Sequence, residues 1–210
     1  MRNVLYIGVF QRYVDPLKKT PSTVQLCGEE DLSDFRWYKG TVREFMLFHC
    51  DIVVKGTEPG KNVSIPQDSQ GEIYNFHVYS RSEGVSAVMI ARASYPELVA
   101  HNLLRKLLDQ FLTKYPAKTF SQSELAGKAF SFPELKEYII KYQDPNQADS
   151  ISKVQTELNE TTQVLHKTIE QVLERGEKID SLVQKSDSLS SQSKMFYTQA
   201  KKQNSCCSVM

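Results

Sequence analysis

No stretch of this 210-residue chain approaches 18 consecutive apolar residues, so no segment is expected to cross a bilayer as a helix. Charge of one sign is missing too. Lys and Arg number 26 against 25 Asp and Glu, a net of +1 that gives no support to a nucleic-acid surface. There are only four cysteines, and Cys27 and Cys50 are isolated among apolar neighbours; they read as reduced core thiols of a cytosolic protein rather than a disulfide or metal framework. His49, His77, His101 and His166 are scattered without ligand or triad spacing, and Gly56-Thr57-Glu58-Pro59-Gly60-Lys61 has the wrong spacing for a phosphate-binding loop. No catalytic site is therefore expected. The apolar run Val4 to Phe10 is followed by Gln11, Arg12 and Tyr13, with no small-residue cleavage site, and reads as a strand rather than a signal peptide. In a cytosolic chain the sequons at Asn62 and Asn159 would be inert.

What the chain does have is a long heptad seam near its end. Steps of three and four residues join Ile151, Val154, Leu158, Thr161, Leu165, Thr168, Val172, Arg175, Ile179, Leu182, Ser186, Leu189, Ser193, Phe196, Ala200 and Gln203, with no proline between them. As one helix this segment would be a rod of about 80 Å, at about 1.5 Å per residue. Arg175 sits at the centre of the face that should be apolar. Two such guanidinium groups facing each other in a homodimer would lose hydration without gaining an acceptor, so the arginine asks for neutral acceptors on different helices. A basic-region zipper is excluded, because residues 142–150 carry no basic cluster and include Asp144 and Asp149.

The run Val172-Leu173-Glu174-Arg175-Gly176-Glu177-Lys178-Ile179, followed by Leu182 and Val183, resembles the centre of an R-SNARE motif, the arginine-bearing helix of the four-helix fusion bundle. The resemblance implies that Arg175 forms the central ionic layer with glutamines from three Q-SNARE helices, and that the other seam residues form the packing layers.

Upstream, Val4 to Phe10 and Thr23 to Cys27 read as a hairpin. Thr41-Val42-Arg43-Glu44 has the pattern of a capping box and is expected to open a helix. Val42, Phe45, Met46, His49, Ile52 and Val53 share one face of that helix, Leu47 and Val54 lie on the other, and Phe48 is on a flank. A helix apolar almost all round must be covered twice. Ile73 to Tyr79 and Val85 to Ala93 read as strands joined by a turn at 81–84. Pro96 and Pro133 each start a helix, the first carrying Leu104, Leu107, Leu108, Phe111, Leu112 and Tyr115 on one face, the second Leu135, Tyr138, Ile139 and Tyr142. Pro145 ends the second, where composition changes. This order predicts an α+β domain and resembles the longin (profilin-like) domain of some R-SNAREs. That resemblance implies a five-stranded antiparallel sheet with helices on both faces, followed by a long helical coiled-coil motif. The expected division is a longin domain over 1–140, a linker over 141–150, the SNARE motif over 151–203 and a lipidated tail over 204–210.

Cys207-Ser208-Val209-Met210 fits the C-a-a-X pattern with farnesyl expected on Cys207, and Cys206 is a candidate for palmitoylation. One lipid binds membranes marginally and two bind stably, and Lys194, Lys201 and Lys202 are too few for a strong polybasic second signal. The whole chain is thus similar to a prenylated longin R-SNARE. The similarity implies vesicle docking and fusion in ER-Golgi, Golgi and endosomal or vacuolar traffic, from the cytosol and the cytoplasmic face of Golgi and vesicle membranes. No cofactor is expected beyond the covalent lipids, and no nucleic-acid partner. Phe45, Phe48, Leu47 and Val54 are expected to shelter the chain's own SNARE motif or its lipid in an autoinhibited form. Phosphate on Ser186 or Ser193 would put about two negative charges into a packed layer and block zippering. The alternative is a lipid-anchored coiled-coil tether or SNARE regulator, which would self-associate through its heptads.

Overall fold

The computed structural model describes residues 2–14, 20–69, 72–117, 130–146 and 163–206. Strands β1 (Val4–Val14) and β2 (Pro21–Glu30) form the expected hairpin, β1 running on past Phe10 and β2 longer at both ends than its apolar run. Gly8 pairs with Gly28 across it, and the Tyr6 ring lies over both, where a Cβ on either would collide with it. Helix α1 (Lys39–Lys55) follows, then β3 (Asn62–Ser69), β4 (Glu72–Ser80) and β5 (Val85–Arg92). Helices α2 (Glu97–Lys114) and α3 (Glu134–Lys141) have Pro96 and Pro133 at their N-caps, where a missing N–H does no harm.

The strand order is β2-β1-β5-β4-β3, all antiparallel, which is the five-stranded sheet expected. One face buries Val4, Ile7, Val85, Ala87 and Met89 under Leu104, Leu107, Leu108 and Phe111 of α2 and Leu135 and Ile139 of α3. The opposite face buries Phe10, Val63, Ile65, Phe76, Val78, Val88 and Ile90 under α1. Strand β3 escapes a pattern reading because Pro66, Gln67, Asp68 and Ser69 dilute it, and Pro66 cannot donate a ladder hydrogen bond.

The C-terminal segment departs most from expectation. It is not one rod. A short strand β6 (Val164–His166) adds to the free edge of β3 in parallel, making a sixth strand. Helices α4 (Ile169–Val172), α5 (Ile179–Lys185) and α6 (Ser191–Cys206) follow, separated by turns. The breaks have local causes. Thr168 and Gln171 form a capping box that starts α4, Gly176 adopts φ +91°, and Ser186 bonds Ser188 in the bend before α6. Helices this short are stable only against a packing partner, and here that partner is the domain.

Candidate functional site

The site is the surface of α1 and the β3 edge on which the C-terminal segment lies. Its origin is the nearly all-round apolar character of α1: Met46, Phe48, His49, Cys50, Ile52, Val53 and Val54 are buried, and Val42, Phe45 and Leu47 are half-buried against the same cluster. The sheet covers one side, with His49 packed on Phe76 at 5.8 Å between ring centroids. The C-terminal segment covers the other. Burial in this apolar setting lowers the pKa of His49 and raises that of the Cys50 thiol well above its ordinary value.

Docking begins at the sheet edge, where residues 164–166 pair with 62–64 and Lys167 N donates to Ser64 O at 3.1 Å. Ile169 and Val172 of α4 then enter the α1 cluster, nine-tenths or more buried. Val172 passes so close to Gly56, just past the end of α1, that a Cβ at that glycine would overlap its carbonyl oxygen and side chain. Val183 of α5 and Leu189 complete the buried set. In α6, Phe196 packs on Tyr38 and Tyr197 on Phe45, at centroid distances of 5.7 and 6.0 Å. Tyr197 Oη donates to Asp180 at 2.8 Å, and Lys201 pairs with the same carboxylate, which ties α6 to α5. These two partners, Lys201 first, hold Asp180 below the ordinary carboxylate pKa.

Glu44 corrects the capping-box expectation. Helix α1 already begins at Lys39, with Tyr38 at its N-cap and Val42 N bonded to Tyr38 O, so Thr41 lies inside the helix. The Glu44 carboxylate instead accepts Ser190 N–H at 2.8 Å, at the start of α6. That bond, with further ones from Ser193 and Ser190, lowers its pKa. A carboxylate there also complements the positive end of the helix dipole.

Of the expected seam residues, Ile151, Val154, Leu158 and Thr161 lie outside the described residues, as does the side chain of Gln203. Val172, Leu189 and Ser193 are buried; Leu165, Ile179, Leu182, Ser186, Phe196 and Ala200 are half-buried; Thr168 is exposed. Arg175 is exposed too, in the turn that Gly176 permits between α4 and α5. Cys207 lies outside the described residues, and for Cys206 only the backbone is described. Of the four candidate shelter residues, Phe48 and Val54 are core, Phe45 packs on Tyr197 of α6, and Leu47 is half-buried against the same cluster. The seam reading missed Ile169, Val183 and Tyr197, each one position beyond a seam residue; a wider apolar stripe was the available signal. Gly56 and Glu44 had no sequence signal for this role.

A family model described as Synaptobrevin matches residues 150–208, and a Longin model, described as Regulated-SNARE-like domain, matches residues 32–139. The chain is 50% identical over 196 residues to the Synaptobrevin homolog ykt6 of Schizosaccharomyces pombe, an alignment spanning 92% of this chain and 96% of that protein. It is 45% identical to the Synaptobrevin homolog YKT6 of Yarrowia lipolytica, over 98% of both chains. With that of Saccharomyces cerevisiae it shares 45% identity over 99% of both. No helix among the described residues is long and apolar enough to cross a membrane.

Proposed function

Since the chain belongs to the synaptobrevin-homologue family of longin-domain SNAREs, we propose that the docked C-terminal segment is its resting form and that undocking licenses fusion. The protein is an R-SNARE of vesicle trafficking, in a family that is not enzymatic, and it acts on other SNARE helices and on membranes. The finer reading adds three Q-SNARE helices that each offer a glutamine to Arg175, with Val172, Ile179, Leu182, Leu189 and Phe196 among the packing layers. Farnesyl on Cys207 and palmitoyl on Cys206 would supply the membrane grip, with exchange between the cytosol and the cytoplasmic face of Golgi and vesicle membranes.

One observation carries the resting-form reading: five residues of the seam, Val172, Ile179, Leu182, Leu189 and Phe196, are engaged with the domain or its α1 aromatic neighbours while Arg175 is left in solvent. Those side chains cannot pack in two places, so docking and bundle assembly exclude each other. The test mixes the purified chain with Q-SNARE helices and compares wild type with Phe45→Glu. This half-buried site faces Tyr197, so a charge there loosens the dock before it harms the core. Assembly is expected to accelerate in the variant, with loss of amide-exchange protection over 164–199. Equal rates and equal protection would refute the resting-form reading, and self-association of the chain alone would favour the tether.

A further inference from the structure

Three of the four histidines, scattered in sequence, converge in space. Register pairs Ser64 of β3 with His77 of β4 and with His166 of β6. Because Val63, Ile65 and Leu165 point to the α1 side, Ser64, His77 and His166 all point to the α2 side. There the first turns of α2 present Glu97 and His101, four residues apart and so on one helix face. Ser64 Oγ lies 2.9 Å from His77 Nδ1 and 3.0 Å from His101 Nε2. Both imidazoles are almost completely buried, and neither His77 Nε2 nor His101 Nδ1 has a hydrogen-bond partner among the described residues. A neutral imidazole carries one donor and one acceptor, so each ring leaves one of them unused whichever tautomers are present. One nitrogen from each ring and a Glu97 oxygen lie within 4.8 Å of one another. His166 Nε2 stands 3.6 Å from Glu97 Oε2, on the solvent side.

We propose that His77, Glu97 and His101 form a binding site for a zinc-like divalent cation, and that His166, carried in by the docked segment, is its fourth ligand. Imidazole nitrogen with one carboxylate is a donor set that suits zinc, in a tetrahedron with ligand bonds of about 2.0–2.2 Å. Ser64 fixes the two buried rings in orientation, as an outer hydrogen-bonding partner does in metal sites. Glu97 and His166 are the partners with solvent on one side, so they are the ones free to close inward and to admit the ion. Burial first, then the neighbouring positive groups, brings His77 down to about 4 and His101 to about 3. Both rings are therefore neutral near pH 7, the form that ligates a metal without first losing a proton. The three-ligand part belongs to the domain alone. The His166 part rests on the resting-form reading: metal would hold β6 on the β3 edge, and docking would raise metal affinity by the same factor.

The experiment uses the full chain with Cys206→Ser and Cys207→Ser, so that terminal thiols do not compete, stripped of metal and titrated with Zn2+ by calorimetry and with Co2+ by visible absorption. One equivalent is expected to bind, with the Co2+ spectrum of a tetrahedral nitrogen-oxygen site. His101→Gln and the more exposed Glu97→Gln should each weaken binding on the order of 100-fold, and His166→Ala about 10-fold. Zn2+ should slow amide exchange over 163–167 in the parent but not in His166→Ala. Absence of binding, or binding indifferent to both Glu97→Gln and His101→Gln, overturns the site while leaving the resting form standing. Binding indifferent to His166→Ala overturns the fourth ligand. If amides 163–167 exchange freely both with and without metal, the resting form itself has failed.

Discussion

On one face of the sheet α2 and α3 lay down apolar stripes in which Leu104, Leu107, Leu108 and Phe111 are fully buried, whereas on the other the C-terminal segment reaches α1 through helices of four, seven and sixteen residues divided by turns. The first cover consists of whole helices, and removing it would expose the core. The second adds single anchors, Ile169, Val172, Val183 and Leu189, to an α1 already packed on the sheet, and leaves many neighbours half-buried. A cover made of a few anchors can leave as a unit without unfolding what lies beneath. The difference separates a structural contact from one suited to release.

Breaking the first cover should have the largest effect. Leu107→Ala removes a fully buried side chain from α2 and should cost about 2–5 kcal/mol of global stability, measured by denaturant unfolding. Breaking the second should leave that stability almost unchanged. Gly56→Val places a side chain where Val172 passes, and it should abolish exchange protection over 164–199 while the domain's unfolding midpoint moves little. A midpoint falling as far as in Leu107→Ala would mean that the two covers do not differ in kind.

Ser193 is fully buried, and both it and Ser190 bond the Glu44 carboxylate. Ser193→Asp would face one carboxylate with another and should release α6, read as lost protection over 191–200; in the bundle the same change should slow assembly. Gly176→Ala acts on the turn itself. At φ +91° a side chain is strained, while in a continuous helix alanine is better than glycine by about 1 kcal/mol, so both effects push toward the open rod. Helicity should rise and Q-SNARE assembly should quicken several-fold. Glu44→Gln is the mildest change, weakening the start of α6 by about 0.3–1 kcal/mol. Because docking lowers the Glu44 pKa, its contribution is present above the ordinary value of 4.5 and fades as pH falls through the docked value. Wild type should therefore lose protection over 191–200 in mild acid more steeply than Glu44→Gln.

Much of the domain was legible. Apolar runs marked β1, β4 and β5, and Pro96 and Pro133 marked the starts of α2 and α3, because these signals are local and tertiary contacts reinforced them. Strand β3 was hidden by polar residues that its edge position tolerates, until β6 covers part of it. The pattern of α1 told that it must be covered twice. It could not tell by what.

The sequence by itself determined the α+β order, the heptad seam and the placement of Arg175 at its centre, since each depends on spacing along one chain. Tertiary structure alone decided that the seam is folded back in pieces, that Glu44 meets Ser190, that Gly56 yields to Val172, and that three dispersed histidines share one corner. The physical reason is that a heptad stripe requires an apolar partner without specifying one, so α1 and foreign helices satisfy it equally well in principle. Which partner holds it depends on residues more than a hundred positions away, and on a glycine beside Arg175 that permits the turn.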